Sequence, residues 1–441
     1  MDYSYFLPTF VMQIHQQPLN PAAPMPTGHA SARPLVDALT GAVFTVILRH
    51  MKYSTDTPSD NCRRTMQSFS DRLMRILLRS ESLADANQIL SPYRLQALLT
   101  MLSHWMDDSM RQSVLSALRP ECPPVRTEAD GWSGAAYVSP MPPEWDDQCT
   151  LVPQLEQQAF LWMSPNAEPR ADALAEVQEL FQLSASCIDF TKQEAKGQIN
   201  RAVSEATHGL IPSLNLDLTP ATRMVMADTL YFKARWEKEF DEELTQQACF
   251  HGAAGDTQVM MMSDENLRSY AETPLGQHVQ LDYKCVSLNG REVVMRIHLP
   301  KPGIALADMW QLVASAGAPM EWGEREVQLV MPRFEMECET DLQRILSLLG
   351  LSDMLSSADL LPHLLKGGMM QDIVQRARLK VDEGGTEAAA VTYMVEAGCC
   401  PCEEEYPQTV EMVVNRPFLF EVVEISTEAR LFVGVVRNLD A

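Results

Sequence analysis

A mixed α+β fold around an extensive core is what this chain predicts, on three observations. Apolar residues recur at helical spacing over residues 68–118, as in Phe69, Leu73, Ile76 and Leu77, and again over residues 171–182 and 341–349. Runs rich in β-branched and aromatic residues mark strands at 293–299, 327–331, 409–414, 418–425 and 431–436, concentrated late in the chain. With 441 residues and 46% hydrophobic content, the chain can bury a large core.

The first 65 residues read differently. Pro8, Pro18, Pro21, Pro24, Pro26 and Pro34 punctuate a charge-poor stretch, which predicts extended or disordered structure and hence a flexible N-terminal extension over 1–65. The apolar run 38–48 is too short to span a membrane. Were synthesis to begin at Met25, it would serve as the apolar part of an export signal, but Asp37 interrupts it and no clean small-residue cleavage site comes after it. An appended amphipathic segment is the other reading. Residues 119–149, rich in proline and tryptophan, read as an elongated surface loop after a helix.

Charge and motifs narrow the function. Against 35 basic residues stand 59 acidic ones, a formal net charge of -24, which repels phosphate backbones and anionic headgroups. Neither nucleic acid nor membrane is an expected partner. The G-x-S-x-G, H-E-x-x-H, G-x-x-x-x-G-K-[ST] and G-x-G-x-x-G patterns are absent, and catalysis is not the expected role. Cys62, Cys122, Cys149, Cys187, Cys249, Cys285 and Cys338 are scattered singly and read as free thiols or small core residues. Cys399, Cys400 and Cys402 crowd together. A zinc site would need a second ligand pair, so no metal and no other cofactor is expected. A redox pair of Cys399 with Cys402 ranks above metal, and plain exposed thiols above both.

The most informative run is Glu383, Gly384, Gly385, Thr386, Glu387, Ala388, Ala389, Ala390, Val391 and Thr392. Adjacent glycines let the backbone swivel. The residues beyond them carry strand periodicity: Thr386, Ala388, Ala390, Thr392 and Met394 share one face, mostly small and uncharged. Such a face can slide into a sheet without burying an unpaired charge. Glu-Ala-Ala-Ala is also good helix sequence, and taken alone the run reads as an alanine-rich surface helix or loop.

Its surroundings decide otherwise. Residues 383–392 resemble the reactive-loop hinge of the serpins, approximately E-x-G-T-E-A-A-A-x-T. Downstream, 415–420 (NRPFLF) is similar to that family's H-P-F-L-F strand and 431–438 (LFVGVVRN) to its L-F-x-G-x-V-x-N strand. Upstream, 227–240 (ADTLYFKARWEKEF) resembles N-A-I-Y-F-K-G-x-W-x-x-P-F, and 199–209 and 87–102 (NQILSPYRLQALLTML) resemble two further family segments. These matches keep the family's order over residues 66–441.

The resemblance implies a serpin domain over 66–441 with three β-sheets surrounded by about nine helices, and an exposed reactive loop at about 383–407. It implies a suicide-substrate inhibitor of a serine endopeptidase, acting by loop cleavage and strand insertion through a covalent acyl complex. Family spacing places the scissile bond at Cys399-Cys400. No Lys or Arg occurs between Thr386 and Arg416, so an elastase-like rather than a trypsin-like target is expected. A cysteine-protease inhibitor and a non-inhibitory binding module are the alternatives. A monomer with a polymerisation liability is implied. Heparin is not expected, because residues 110–126 offer only Arg111, Arg119 and Arg126. Where the sheet must open, the family keeps two serines, an asparagine and a histidine; the matching positions are Ser91, Arg94, Asp228 and Gln375, with Trp236 assigned to the same region. Arg94 and Asp228 are expected to form a buried ion pair in place of the neutral network. Family habit implies an extracellular location, with the cytoplasm as the alternative in the absence of a clean export signal.

Overall fold

The computed structural model describes residues 6–15, 60–79, 86–118, 154–181, 183–284, 292–314, 320–367, 369–385, 409–425 and 428–440. Eight helices occur among them: α1 (Asp60–Arg79), α2 (Pro92–Ser103), α3 (Asp108–Leu118), α4 (Ala171–Phe181), α5 (Glu194–Ala206), α6 (Leu306–Val313), α7 (Leu342–Leu348) and α8 (Ser352–Ser356). The strands are β1 (Phe6–His15), β2 (Gln88–Leu90), β3 (Gln154–Met163), β4 (Leu183–Cys187), β5 (Thr222–Lys233), β6 (Gln246–Gly252), β7 (Gly255–Glu272) and β8 (Gly276–Asp282). They continue with β9 (Val293–Pro300), β10 (Gly323–Pro332), β11 (Phe334–Asp341), β12 (Met369–Val381), β13 (Val410–Val413), β14 (Phe418–Glu424) and β15 (Ala429–Val436).

These strands make three sheets. The first is six-stranded, in the order β11-β12-β1-β5-β3-β4. The other two share the long strand β7. Its earlier residues pair with β6 and β10, and β10 pairs in parallel with β13; its last residues, Tyr270–Glu272, pair with β8, which leads through β9, β14 and β15 to β2.

Period-two alternation places the six-stranded sheet between two cores. Leu161, Met163, Met224, Met226 and Ile373 face Phe69, Leu73, Leu98 and Trp105 of α1, α2 and the turn beyond it. Trp162, Val225, Ala227 and Tyr231 face Ile199 and Val203 of α5. A third core joins the sheets through Phe232, Trp236, Phe250, Phe418, Phe420 and Phe432. Every residue of β14 and β15 is buried, including Glu421, Glu424 and Arg430 within otherwise apolar runs. Gly434 of β15 belongs to this packing: a Cβ there would lie 2.2 Å from the ring of Phe420.

Two features depart from the sequence reading. The stretch 68–118 is broken by β2, which pairs with β15. The extension expected over residues 1–65 contributes two elements: α1 begins at Asp60, and β1 lies at the centre of the six-stranded sheet, antiparallel to both β12 and β5. Its sequence, FLPTFVMQIH, contains no Asp, Glu, Lys or Arg. Poverty in charge reads as the mark of an unpaired segment, but a strand paired along both edges in the middle of a sheet demands the same composition.

Candidate functional site

The chain leaves β12 through a tight turn. Gly385 N–H donates to the carbonyl of Asp382 at 3.2 Å, and the two residues form an isolated antiparallel bridge. Gly385 has φ +88°, and a Cβ there would stand 2.4 Å from Trp236 N, so both conformation and space require glycine. The segment after β5 holds this turn. Trp236 N donates to Gly384 O at 3.2 Å, its Nε1 donates to Asp382 O at 2.9 Å, and Phe240 N donates to Glu383 O at 2.9 Å. Trp236 is itself fixed by stacking on Tyr283, with centroids 4.5 Å apart. It latches the segment after β5 to the turn that ends β12.

Glu383 anchors the start of the turn with its side chain. Its Oε1 accepts from Thr245 Oγ1 at 2.6 Å and from Arg333 at 2.5 Å. Burial alone would raise this carboxyl, but the hydrogen bonds from Arg333 and Thr245 outweigh it and hold the group below the usual range. The ionised carboxylate fixes the base of this turn. Thr386, Glu387, Ala388, Ala389 and Ala390 lie outside the described residues, as do Cys399, Cys400 and Cys402.

A second cluster lies lower in the same sheet. Ser91 caps α2, its Oγ accepting from Arg94 N at 3.2 Å, with Pro92 at the first helical position. The Ser91 N–H donates to Gln375 Oε1 of β12 at 3.2 Å. Arg94 Nε donates to Asp228 Oδ2 of β5 at 2.7 Å, and a second bond from its guanidinium to Oδ1 makes the pair bidentate. The structure thus brings Ser91, Arg94, Asp228 and Gln375 together, all buried. Gln375 and Asp228 are both register partners of the same residue, Phe10 of β1. Gln375 Nε2 finds no hydrogen-bond partner among the described residues.

Sequence reasoning missed a buried charge network beneath β14 and β15. Arg430 Nε donates to Glu421 Oε2 at 2.6 Å, and its Nη1 donates to Asp71 Oδ1 of α1 at 2.8 Å. His298 approaches Glu421 at 3.5 Å and shares a 2.9 Å Nδ1–Nδ1 contact with His278. Burial, reinforced by His298, pushes His278 down to about 3, and burial pushes Asp71 up to about 6. The signal was available: Glu421 is a lone acid inside the apolar run FLFEVV, and only a buried partner permits that.

A smaller group also escaped notice. At the exposed end of the β6–β7 hairpin, Cys249 Sγ lies 3.8 Å from His251 Nδ1, which lies 2.9 Å from Asp256 Oδ1. These three groups have the spacing of potential metal ligands. Cys187, Cys249 and Cys338 are free thiols. No helix among the described residues is long and apolar enough to cross a membrane.

Comparison with known proteins places this geometry. The family model described as serpin (serine protease inhibitor) matches residues 64–439. Plasminogen activator inhibitor 1 of Bos taurus is 27% identical over 370 residues, covering 80% of this chain and 87% of its own. An uncharacterised serpin-like protein of Thermococcus kodakarensis is 29% identical over 287 residues, which span 63% of this chain and 65% of that relative's length. Among solved structures, the thermophilic serpin tengpin in its native state superposes with a TM-score of 0.66 at 20% identity, over 88% of this chain and 96% of its own.

Proposed function

The chain belongs to the serpin family, whose members generally inhibit proteases rather than catalyse reactions, and from that premise we propose that it is a suicide-substrate inhibitor of a serine endopeptidase. The protease's serine Oγ adds to the carbonyl carbon of Cys399. The bond to the Cys400 nitrogen breaks, that nitrogen leaves as an amine carrying a proton, and Cys399 remains as an ester on the enzyme. The freed loop stays tied to β12 at Gly385 and folds into the six-stranded sheet before water can cleave the ester.

The observation that carries this reading is the hinge. A left-handed glycine ends a turn that already carries one antiparallel rung, fixed on one side by Glu383 and Trp236 and succeeded by ten residues rich in small side chains. Each rung added in a vacant cleft is worth roughly 0.5–1.5 kcal/mol net, so about ten residues entering one release on the order of 10 kcal/mol, less whatever pairing they displace. The loop lacks Lys and Arg, which favours an elastase-like pocket accepting a small side chain. One monomer acts on one protease, with no heparin-like cofactor.

The test is incubation of the full chain with elastase-, chymotrypsin-, trypsin- and papain-like proteases, and then denaturing electrophoresis. A covalent complex with the elastase-like enzyme that survives SDS is expected. Loop cleavage without a complex across the whole panel would overturn the reading. It would favour the second one, a non-inhibitory binding module, for which the filled position beside β12 is the supporting observation.

A further inference from the structure

We propose that the segment Phe6–His15 is a removable tenant of the cleft between β5 and β12, holding the position that the reading above assigns to the chain's own loop and competing with it there. This rests on the inhibitory reading only for its consequence; occupancy and exchange are testable without a protease.

The hinge sets where the loop would go. Strand β12 has two neighbours, β11 and β1. The hinge turn is bonded to residues just after β5, so it opens at the end of the cleft between β5 and β12, where Phe6 is paired with both Phe232 and Leu379. The bridge Asp382–Gly385 gives the register. Each step onward along the loop matches one step back along β12, which brings Ala388 opposite Leu379 and Thr392 opposite Gln375. Those β12 residues now pair with Phe6 and Phe10. The direction is also shared, since β1 runs antiparallel to β12 as a returning loop must. Loop residues 388–395 (AAAVTYMV) and the segment they would replace, residues 6–13 (FLPTFVMQ), are both free of charge. Only one of the two can be there.

Several features make β1 the replaceable strand. Pro8 lies within it, and a proline has no N–H to give to a ladder; pairing with β5 skips Leu7 and Pro8 entirely. The register slips again between Gln13 and Ile14 on the β12 side and between Ile14 and His15 on the β5 side. The competing loop residues 386–395 contain no proline. Displacing β11 instead would expose Phe334 and Met336, which are core residues. The filled cleft keeps the sheet from opening to the loops of other copies, and inhibition waits on release of β1.

The test uses the full chain, a Pro8→Val variant and a Val11→Arg variant, with a synthetic acetylated peptide of residues 6–15 as probe. Val11 pairs with buried Ala227 and partly buried Val374, so an arginine there brings an unpaired charge to the register position beside that core and expels the strand. Val11→Arg is expected to melt lower, take up one equivalent of peptide and recover its melting temperature. Wild type should take up peptide about tenfold more slowly. Pro8→Val restores the missing donor and should melt about 2 °C or more higher and exchange more slowly than wild type. Because it strengthens the fold, it remains informative if Val11→Arg does not fold. A peptide of residues 386–395 should compete with the first peptide for the single site. Simultaneous binding of both peptides, or a Pro8→Val protein unchanged in both melting and uptake, would overturn the proposal. Uptake as expected with no protease complex from any variant would leave the tenant strand standing and reject the inhibitory reading instead.

Discussion

The strand pair β14–β15 and the strand β1 are built on opposite plans. Strands β14 and β15 are buried at every residue, and two of their three charged members are tied together, Glu421 to Arg430 and Arg430 in turn to Asp71 of α1. Strand β1, equally central in its own sheet, carries a proline, skips rungs and belongs to the N-terminal segment of the chain. A centre stapled by buried charges resists exchange, whereas the proposed exchange needs a centre held by an uncharged, irregularly paired strand. The difference separates a fixed half from a half that can accept a new strand.

The largest effect is expected where the fixed half is cut. Replacing Glu421 by leucine leaves Asp71 as the remaining carboxylate bonded to Arg430 and removes the acid facing His298, and should cost about 3–5 kcal/mol in denaturant unfolding. If the loss is under about 1 kcal/mol, the network is not a staple. Arg94→Met should cost about as much by stranding Asp228, while Arg94→Met combined with Asp228→Leu should recover most of the loss. Additive losses would show that the two residues do not act as a pair at the sheet.

Acid should separate two members of the fixed half. His278 is held down to about 3, so the unfolded chain takes the proton first. Its contribution to stability is complete above pH 6.5 and is lost as pH falls from 6.5 toward 3. Asp71, raised to about 6, works in the opposite sense: its contribution is present below the ordinary carboxylate range and lost as pH rises through 6. Stability of a His278→Gln protein should therefore rise on acidification from about pH 6 to about pH 4, where wild type shows the two trends offsetting. An unchanged pH profile would remove His278 from the explanation. The smallest effect belongs to the hinge: Gly385→Ala forces a Cβ toward Trp236 N at a φ that disfavours it, costing about 1–3 kcal/mol in the intact state. No loss would mean that the turn relaxes freely.

How much of this was legible in the sequence depended on local signals. Strands β9, β10, β13, β14 and β15 announced themselves by apolar runs, and α4 and α7 by helical spacing. Strand β7 did not, because its sequence GDTQVMMMSDENLRSYAE mixes polar residues into a ribbon shared by two sheets, where burial switches partner along its length. Ser91, Arg94, Asp228 and Gln375 could be named from family positions, and the expected Arg94–Asp228 contact is present in the structure. The role of β1 was hidden for a physical reason. Nothing in FLPTFVMQIH specifies a partner, and pairing with strands more than two hundred residues away depends on the cleft that those strands leave.

Hydrogen exchange before and after loop cleavage tests the shared cleft most directly. In the intact protein the amides of Phe6–His15 should be protected while those of residues 386–395 exchange freely. After cleavage at Cys399-Cys400 the order should reverse, with β14 and β15 unchanged. Continued protection of Phe6–His15 after cleavage, or free exchange of that segment in the intact chain, would contradict the assignment of one cleft to two competing strands.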